Sequence, residues 1–166
     1  GWKWISHETG HLFGLHDLYT VDPQPPTYGS WDLMSLNWST AAIEINAWNR
    51  YIQGWLDDNQ VNCLDKSKTA NETITLDPIA RINKLTKAIV VKISDSKIVV
   101  IESRRSEGLD VLSSSQAGTL VYTVDMKIGS IKGGWETQRR PGSTAKDFTD
   151  AALKTGDKIV VEGVSI

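Results

Sequence analysis

The sequence predicts an α+β fold, with two helices followed by an antiparallel β region. Apolar residues recur at three- and four-residue spacing before residue 57, which is typical of helices that pack on a core. From residue 73 onward the pattern changes to short β-branched runs, which indicate strands. A chain of 166 residues can bury one sizeable core. We therefore expect a helical part over residues 1–60 and a β-rich region over residues 61–166 packed on it as one compact unit.

The first helix is predicted to begin near Trp4 or Ile5 and to end at Phe13. Gly14 follows, and a residue without Cβ readily takes the left-handed conformation that ends a helix. One side of this helix is polar. The apolar residues that we expect to pack on the opposite side are Ile5, Leu12 and Leu15.

The polar side of the first helix carries the spacing of a metal site. His7 and His11 are four residues apart, so on a helix both imidazoles leave the same face. This spacing suits two nitrogens that bind one zinc ion at about 2.0–2.1 Å. Glu8 is placed to take a proton from water at that metal rather than to bind it. In the long zincin motif the third ligand falls three residues after the glycine, which is Asp17 here, although histidine is commoner there. His16, one residue earlier, is the rival third ligand.

A second motif lies downstream, in the segment Tyr28-Gly29-Ser30-Trp31-Asp32-Leu33-Met34-Ser35. Together with the zinc motif it resembles the immune-inhibitor-A-like secreted bacterial metallopeptidases, a metzincin-type family. Members of that family read His-Glu-x-x-His-x-x-Gly-x-x-Asp and then Gly-x-Trp-Asp-Leu-Met. The likeness covers most of the chain and is weakest from Asp125 to Asp150. Beyond the two motifs, the segments that resemble the family are Leu18-Tyr19, Asn46-Ala47-Trp48, Gly54-Trp55-Leu56, Ile101-Glu102-Ser103-Arg104, Gly108-Leu109-Asp110, Gly118-Thr119-Leu120-Val121-Tyr122 and Gly156-Asp157.

The resemblance implies a secreted, extracellular zinc endopeptidase that hydrolyses a protein or peptide substrate. It implies that His7, His11 and Asp17 hold the zinc ion. It also implies that Glu8 is the general base and that Met34 forms a tight turn beneath the metal without binding it. In this family the sheet that forms the upper wall of the cleft precedes the zinc helix. The chain is therefore expected to be the C-terminal part of a catalytic domain with a β region after it.

The resemblance also raises the question of which group stabilises the oxyanion of the reaction. Some metzincins place a tyrosine two residues after the methionine of the turn for this purpose. That position holds Leu36 in this chain. The hydrogen-bond donor must therefore come from elsewhere, and the two candidates are Tyr19 and Tyr28.

The second helix is predicted from about Thr40 to Gln53, with Gly54 at its end. Its expected core-facing stripe is Ile45, Trp48, Ile52 and Trp55. Between the two helices, Asp22-Pro23-Gln24-Pro25-Pro26 indicates a rigid extended connector. The predicted β elements are strands at Thr73–Leu76, Ala88–Ile93, Ile98–Glu102, Thr119–Val124 and Lys158–Val164, a hairpin turn at Asp95-Ser96, and a long loop from Lys127 to Gly142.

Charge and composition exclude several classes of function. A net charge of −2 and two isolated basic pairs, Arg104-Arg105 and Arg139-Arg140, argue against a nucleic-acid partner. These pairs are expected to be solvated, while Glu102, in an apolar strand, is expected to pair with one of the arginines. No apolar run approaches the roughly 20 residues of a membrane-spanning helix. Cys63 is the only cysteine, which excludes an intrachain disulfide.

A different class of function stays open at this point. A chain without the upper wall of the cleft could be a non-catalytic zinc-binding or structural module with an incomplete active site. The sequence also leaves open whether calcium binds in addition to zinc.

Overall fold

The computed structural model describes residues 1–21, 26–35, 43–68 and 71–166. These residues contain two α-helices, α1 (Trp2–Leu12) and α2 (Ala47–Ile52), and a short 3-10 helix (Asp58–Gln60). They also contain seven strands: β1 (Val61–Asp65), β2 (Ala88–Lys92), β3 (Lys97–Arg104), β4 (Gly118–Asp125), β5 (Trp135–Thr137), β6 (Val160–Val161) and β7 (Val164–Ser165). The α+β class is thus confirmed. Neither described helix is long and apolar enough to cross a membrane.

The first five strands form one sheet in the order β1-β2-β3-β4-β5. The pairs β2–β3, β3–β4 and β4–β5 are antiparallel, whereas the pair β1–β2 is parallel. The sheet is therefore mixed, and the expectation of a purely antiparallel region is wrong for this one pair. The connection over residues 66–87 is long enough for the crossover that a parallel pair requires. β6 and β7 form a separate two-stranded hairpin.

The sequence pattern located the central strands better than the edge strands. Ala88–Ile93, Ile98–Glu102 and Thr119–Val124 match β2, β3 and β4, and a tight turn at residues 94–96 joins the first two. Thr73–Leu76 is not a strand, and Lys158–Val164 is split into β6 and the start of β7. β1 and β5 were not predicted, because neither carries a run of β-branched residues, and β5 lies inside the predicted long loop.

α1 begins at Trp2, slightly earlier than predicted, and contacts the core through a different side. His7 and Gly10 are its buried residues. Leu15 is buried as expected, but Ile5 is 60% exposed and Leu12 is 85% exposed, so their predicted packing is wrong. The reason is that the core lies against the side of α1 that carries the histidines, which leaves the apolar side in solvent.

α2 is shorter than predicted. It begins at Ala47, and the Asn46 side chain caps it by accepting a hydrogen bond of 2.8 Å from the Asn49 amide. Part of the predicted stripe packs on the core, namely Ile45 and Trp48, whereas Ile52 and Trp55 are exposed. The predicted start at Thr40, the position of Leu36 and most of the proline-rich connector lie outside the described residues.

The main sheet has a hydrophobic layer on each face. One face packs on the N-terminal part of the chain in a cluster that includes Leu15, Tyr28, Trp31, Met34, Ala47, Val90, Val100, Leu120 and Tyr122. The other face packs beneath the β6–β7 hairpin in a cluster that includes Ile89, Val91, Val99, Ile101, Val121 and Val161. The first cluster joins residues from both predicted parts of the chain.

A buried ion cluster lies where β3 meets the N-terminal part. Arg104 is fully buried and donates two hydrogen bonds to Asp110, of 2.7 and 2.6 Å, and one of 3.0 Å to Glu102. It also donates to the carbonyl oxygen of Trp31 at 2.8 Å. The expected pairing of Glu102 with an arginine is confirmed. The expected solvation is wrong for Arg104, because its two carboxylate partners are buried with it, and holds for exposed Arg105.

Replacing Arg104 by methionine is expected to lower the free energy of unfolding by about 3–5 kcal/mol. Glu102 and Asp110 would then be buried carboxylates without a cation. Urea denaturation measures the change. Arg105→Met, at the exposed neighbour, is the matched control and should change stability by less than about 0.5 kcal/mol. Equally small effects of the two substitutions would contradict the role assigned to Arg104.

Candidate metal centre

The end of α1 turns the chain back toward its own histidines. Gly14 has a φ of +81°, in the left-handed region that favours glycine. Its amide donates to the carbonyl of His11 at 2.9 Å, and the Leu15 amide donates to the carbonyl of Gly10 at 3.2 Å. These two bonds form a Schellman motif, which satisfies the last carbonyls of the helix. The reversal places the segment after Gly14 beside the polar side of α1.

Three predicted ligands meet at this place. Oδ1 of Asp17 lies 3.0 Å from Nε2 of His7 and 3.3 Å from Nε2 of His11. One ligand atom from each of the three residues lies within 4.8 Å of the others. The two imidazole rings are perpendicular, with their centroids 5.0 Å apart. Among the described residues, this is the group of side chains arranged to hold a metal ion.

Backbone carbonyls set the tautomer of both histidines. Nδ1 of His7 lies 2.9 Å from the carbonyl oxygen of Leu33, and Nδ1 of His11 lies 2.8 Å from that of Leu15. A carbonyl oxygen only accepts hydrogen bonds, so both Nδ1 atoms carry the proton. In each neutral ring Nε2 then carries a lone pair, and both lone pairs face Asp17. Such outer hydrogen bonds are the usual way in which proteins orient histidine ligands of metals.

This donor set fits zinc. The carboxylate oxygen lies 3.0 and 3.3 Å from two nitrogen lone pairs, and acceptors this close repel one another unless a proton or a cation lies among them. Ligand atoms about 2.0–2.1 Å from one tetrahedral zinc ion are roughly 3.3 Å apart, which is close to the observed spacing. Calcium prefers six to eight oxygen ligands, and this group offers two nitrogens and one carboxylate.

His16, the rival third ligand, lies outside the group. Its side chain is exposed, and its ring centroid is 6.4 Å from that of Trp135. Neighbouring residues of a turn point in different directions, so the turn that directs Asp17 at the histidines directs His16 away. The geometry favours Asp17 as the third ligand.

Met34 supports α1 from below. It is fully buried, and a Cβ placed on Gly10 would lie 2.5 Å from its sulfur, so the missing side chain of Gly10 lets the thioether lie directly against the helix. The Met34 carbonyl accepts a hydrogen bond of 2.9 Å from the Leu18 amide, which ties the turn to the segment after Asp17. The position agrees with the supporting role that the sequence suggested.

A buried carboxylate holds this turn in place. Asp32 accepts hydrogen bonds from the amide of Met34 at 2.6 Å and from the amide and side chain of Asn46 at 2.6 and 2.7 Å. Burial raises the pKa of Asp32 to about 6, although these N–H donors oppose the shift. Sequence reasoning recognised Asp32 as part of a motif and assigned it no role.

The β region contributes directly to the position of the third ligand. In the loop between β4 and β5, the Ser130 hydroxyl accepts a hydrogen bond of 3.0 Å from the Asp17 amide. The amide of Ile131 donates to the Asp17 carbonyl at 3.4 Å. Ile131 has a φ of +59°, which is strained for a β-branched residue. No local signal in the sequence indicated this support, because the partners are 113 residues apart.

Two further polar side chains border the group. Glu8 lies on α1 beside His7 and is exposed. Tyr19 lies with its ring 6.3 Å from that of His7, at an interplanar angle of 27°. Burial raises the pKa of Tyr19, and its hydrogen bond to Asp17 and the nearby charge of Glu8 act in the same direction. Glu8 and Tyr19 therefore share one electrostatic environment with the ligands.

The fold and the site together define a class: an α+β chain with a His-His-carboxylate group on a helix and the turn that follows it. Comparison with protein-family models, with curated proteins and with solved structures finds no match for this chain.

Replacing Asp17 by alanine would remove one of the three proposed ligands. The affinity for zinc is therefore expected to fall by at least about 100-fold, which is the upper range for substitutions of residues that only hydrogen-bond to a metal ligand. Competition with a chromogenic chelator measures the affinity. His16→Ala is the matched control from the adjacent position, with an expected change below about threefold. The reverse result, a large loss with His16→Ala alone, would make His16 the third ligand.

Stability is expected to depend on pH through Asp32. The Asp32 carboxyl group has a pKa of about 6 in the folded protein, against an ordinary value of 3.8. Above pH 6 the buried group is therefore charged, and burial of this charge disfavours folding. This unfavourable contribution, about 3 kcal/mol, fades as the pH falls from 6 toward 4. The difference in unfolding free energy between wild type and Asp32→Asn should change with pH over that window. The difference for exposed Asp95→Asn should stay within about 0.5 kcal/mol throughout. A pH-independent difference for Asp32→Asn would contradict the assignment.

Proposed function

We propose that this chain carries the active site of a secreted, extracellular zinc endopeptidase of the immune-inhibitor-A-like type. The observation that carries the proposal is the convergence of two imidazole lone pairs and one carboxylate oxygen at 3.0–3.3 Å, with both imidazole tautomers set by backbone carbonyls. The order of ligands along the chain, with Glu8 directly after the first histidine, is that of a zincin.

His7, His11 and Asp17 would hold zinc with three protein ligands and would leave a fourth position for water or substrate. Zinc, when bound, polarises a carbonyl oxygen and lowers the pKa of water toward about 7. Exposure within the group is graded: the His7 side chain is 7% exposed, Asp17 is 17% exposed and His11 is 33% exposed. The group is thus buried on the His7 side and open on the His11 side, which is the side from which a peptide can approach.

Glu8 is the residue that moves protons in this proposal. It takes one proton from water as the water oxygen forms a bond to the peptide carbonyl carbon. It then gives that proton to the nitrogen of the leaving amine as the carbon–nitrogen bond breaks. Glu8 is exposed and therefore accessible to water and substrate, and it directly follows His7 on α1.

One observation favours the second candidate, a non-catalytic zinc-binding module. Several large apolar side chains on α1 and at its end are exposed, namely Trp2, Trp4, Ile5, Leu12 and Phe13. Exposed apolar patches are typical of surfaces that another protein surface covers. A module of this kind would bind zinc and show no peptidase activity, so the two candidates differ in one measurement.

Replacing Glu8 by alanine is expected to lower peptide hydrolysis by about 10²–10⁴-fold, because it removes the general base, while zinc stays bound. Cleavage of a quenched-fluorescent peptide library and zinc content by mass spectrometry measure the two properties. Glu72→Ala, at an exposed glutamate outside the site, is the control and should leave both unchanged. Wild-type chain with stoichiometric zinc and no cleavage would favour the non-catalytic module, and full activity of Glu8→Ala would refute the mechanism.

A further inference from the structure

We propose that Tyr19 is a catalytic residue of this site, whose phenol donates a hydrogen bond to the carbonyl oxygen of the scissile peptide as that oxygen becomes negative. The inference rests on the proposed peptidase function and adds to it the source of oxyanion stabilisation. None of the residues discussed above donates a hydrogen bond to the oxyanion in the proposed mechanism.

The geometry places the Tyr19 hydroxyl among the reacting groups. The ring lies nearly parallel to that of His7, with 6.3 Å between centroids, and the hydroxyl is hydrogen-bonded to the carboxylate of Asp17. Glu8, the proposed base, directly follows His7 on α1. Tyr19 is half-buried, so the hydroxyl is held by its neighbours and still open to a ligand.

The chemistry of the phenol suits this role. A tyrosine hydroxyl has an ordinary pKa of about 10, so at neutral pH it carries a proton and is a hydrogen-bond donor. In the absence of substrate the donor points to Asp17, and rotation about the C–O bond redirects it to a nearby acceptor. A hydrogen bond to an oxygen that gains negative charge is stronger in the transition state than in the ground state, which is the requirement for catalysis.

The other tyrosine that the sequence suggested does not meet these conditions. Tyr28 is fully buried in the main core, where its ring packs edge-on against Tyr122 with 5.2 Å between centroids. A residue without exposed surface does not contact a peptide. Of the two candidates, the structure retains Tyr19.

A different role for Tyr19 has to be distinguished from catalysis. Through its hydrogen bond to Asp17, the residue could act only by orienting a metal ligand. Substitutions of such outer groups typically cost about 10–100-fold in metal affinity. A catalytic donor instead leaves zinc affinity nearly unchanged and affects only ligands that present an oxygen where the oxyanion forms.

The test compares two inhibitors on wild type and Tyr19→Phe. The first is a phosphinic pseudo-tripeptide, whose tetrahedral phosphinate imitates the oxyanion. The second is a mercaptoacyl dipeptide, which binds zinc through a thiolate and presents no such oxygen. Calorimetry gives both affinities, and chelator competition gives the affinity for zinc. Tyr51→Phe is the matched control, since Tyr51 also donates to a carboxylate, that of Asp58 at 3.0 Å, outside the metal group.

Tyr19→Phe is expected to weaken binding of the phosphinic compound by about 10- to 100-fold and to change thiol and zinc affinities by less than about threefold. Its kcat should fall by about 10²–10³-fold with little change in KM. Parallel loss of all three affinities would make Tyr19 a positioning residue, and unchanged phosphinate affinity would remove it from the mechanism; either result overturns the proposal. Wild-type chain that binds zinc but neither inhibitor would instead refute the peptidase function itself.

Discussion

The buried guanidinium of Arg104 is the interaction on which the position of the site depends. It neutralises two buried carboxylates of the β region and donates to the carbonyl of Trp31, with its cationic carbon 5.6 Å from the centre of that indole ring. Trp31 begins the turn whose next residues hold Met34 and present the Leu33 carbonyl to His7. The orientation of His7 therefore depends on the sheet through a short chain of buried polar contacts.

Rigidity at the site comes from several different segments. The carbonyls that orient His7 and His11 come from Leu33 and Leu15, which lie on opposite sides of the proline-rich stretch in the sequence. Each imidazole is thus held by a hydrogen bond at Nδ1 and directs Nε2 at Asp17. The group therefore has its geometry without a metal ion, which would reduce the reorganisation that binding of the proposed zinc ion requires.

Local sequence patterns predicted the parts of the molecule that local physics determines. The spacing of His7 and His11, the left-handed glycine after them and the central β-branched strands all follow from short-range rules. The burial of Arg104 does not follow from such rules, because a basic pair is ordinarily solvated and the tertiary structure brings Asp110 into contact with it. The exposure of Leu12 was missed for a related reason: an apolar stripe shows which residues share a face and not which face meets the core. Support of Asp17 by the β4–β5 loop depends wholly on topology.

The hydrogen bonds from the β4–β5 loop to Asp17 determine when, during folding, the three side chains come together. The two histidines lie near the beginning of the chain, but the hydrogen bonds that seat the third ligand come from Ser130 and Ile131, in the loop after β4. A nascent chain displays both imidazoles long before it possesses the complete chelate. At the proposed site, tight zinc binding would therefore require the closed sheet, so that zinc would bind the folded chain instead of initiating its folding.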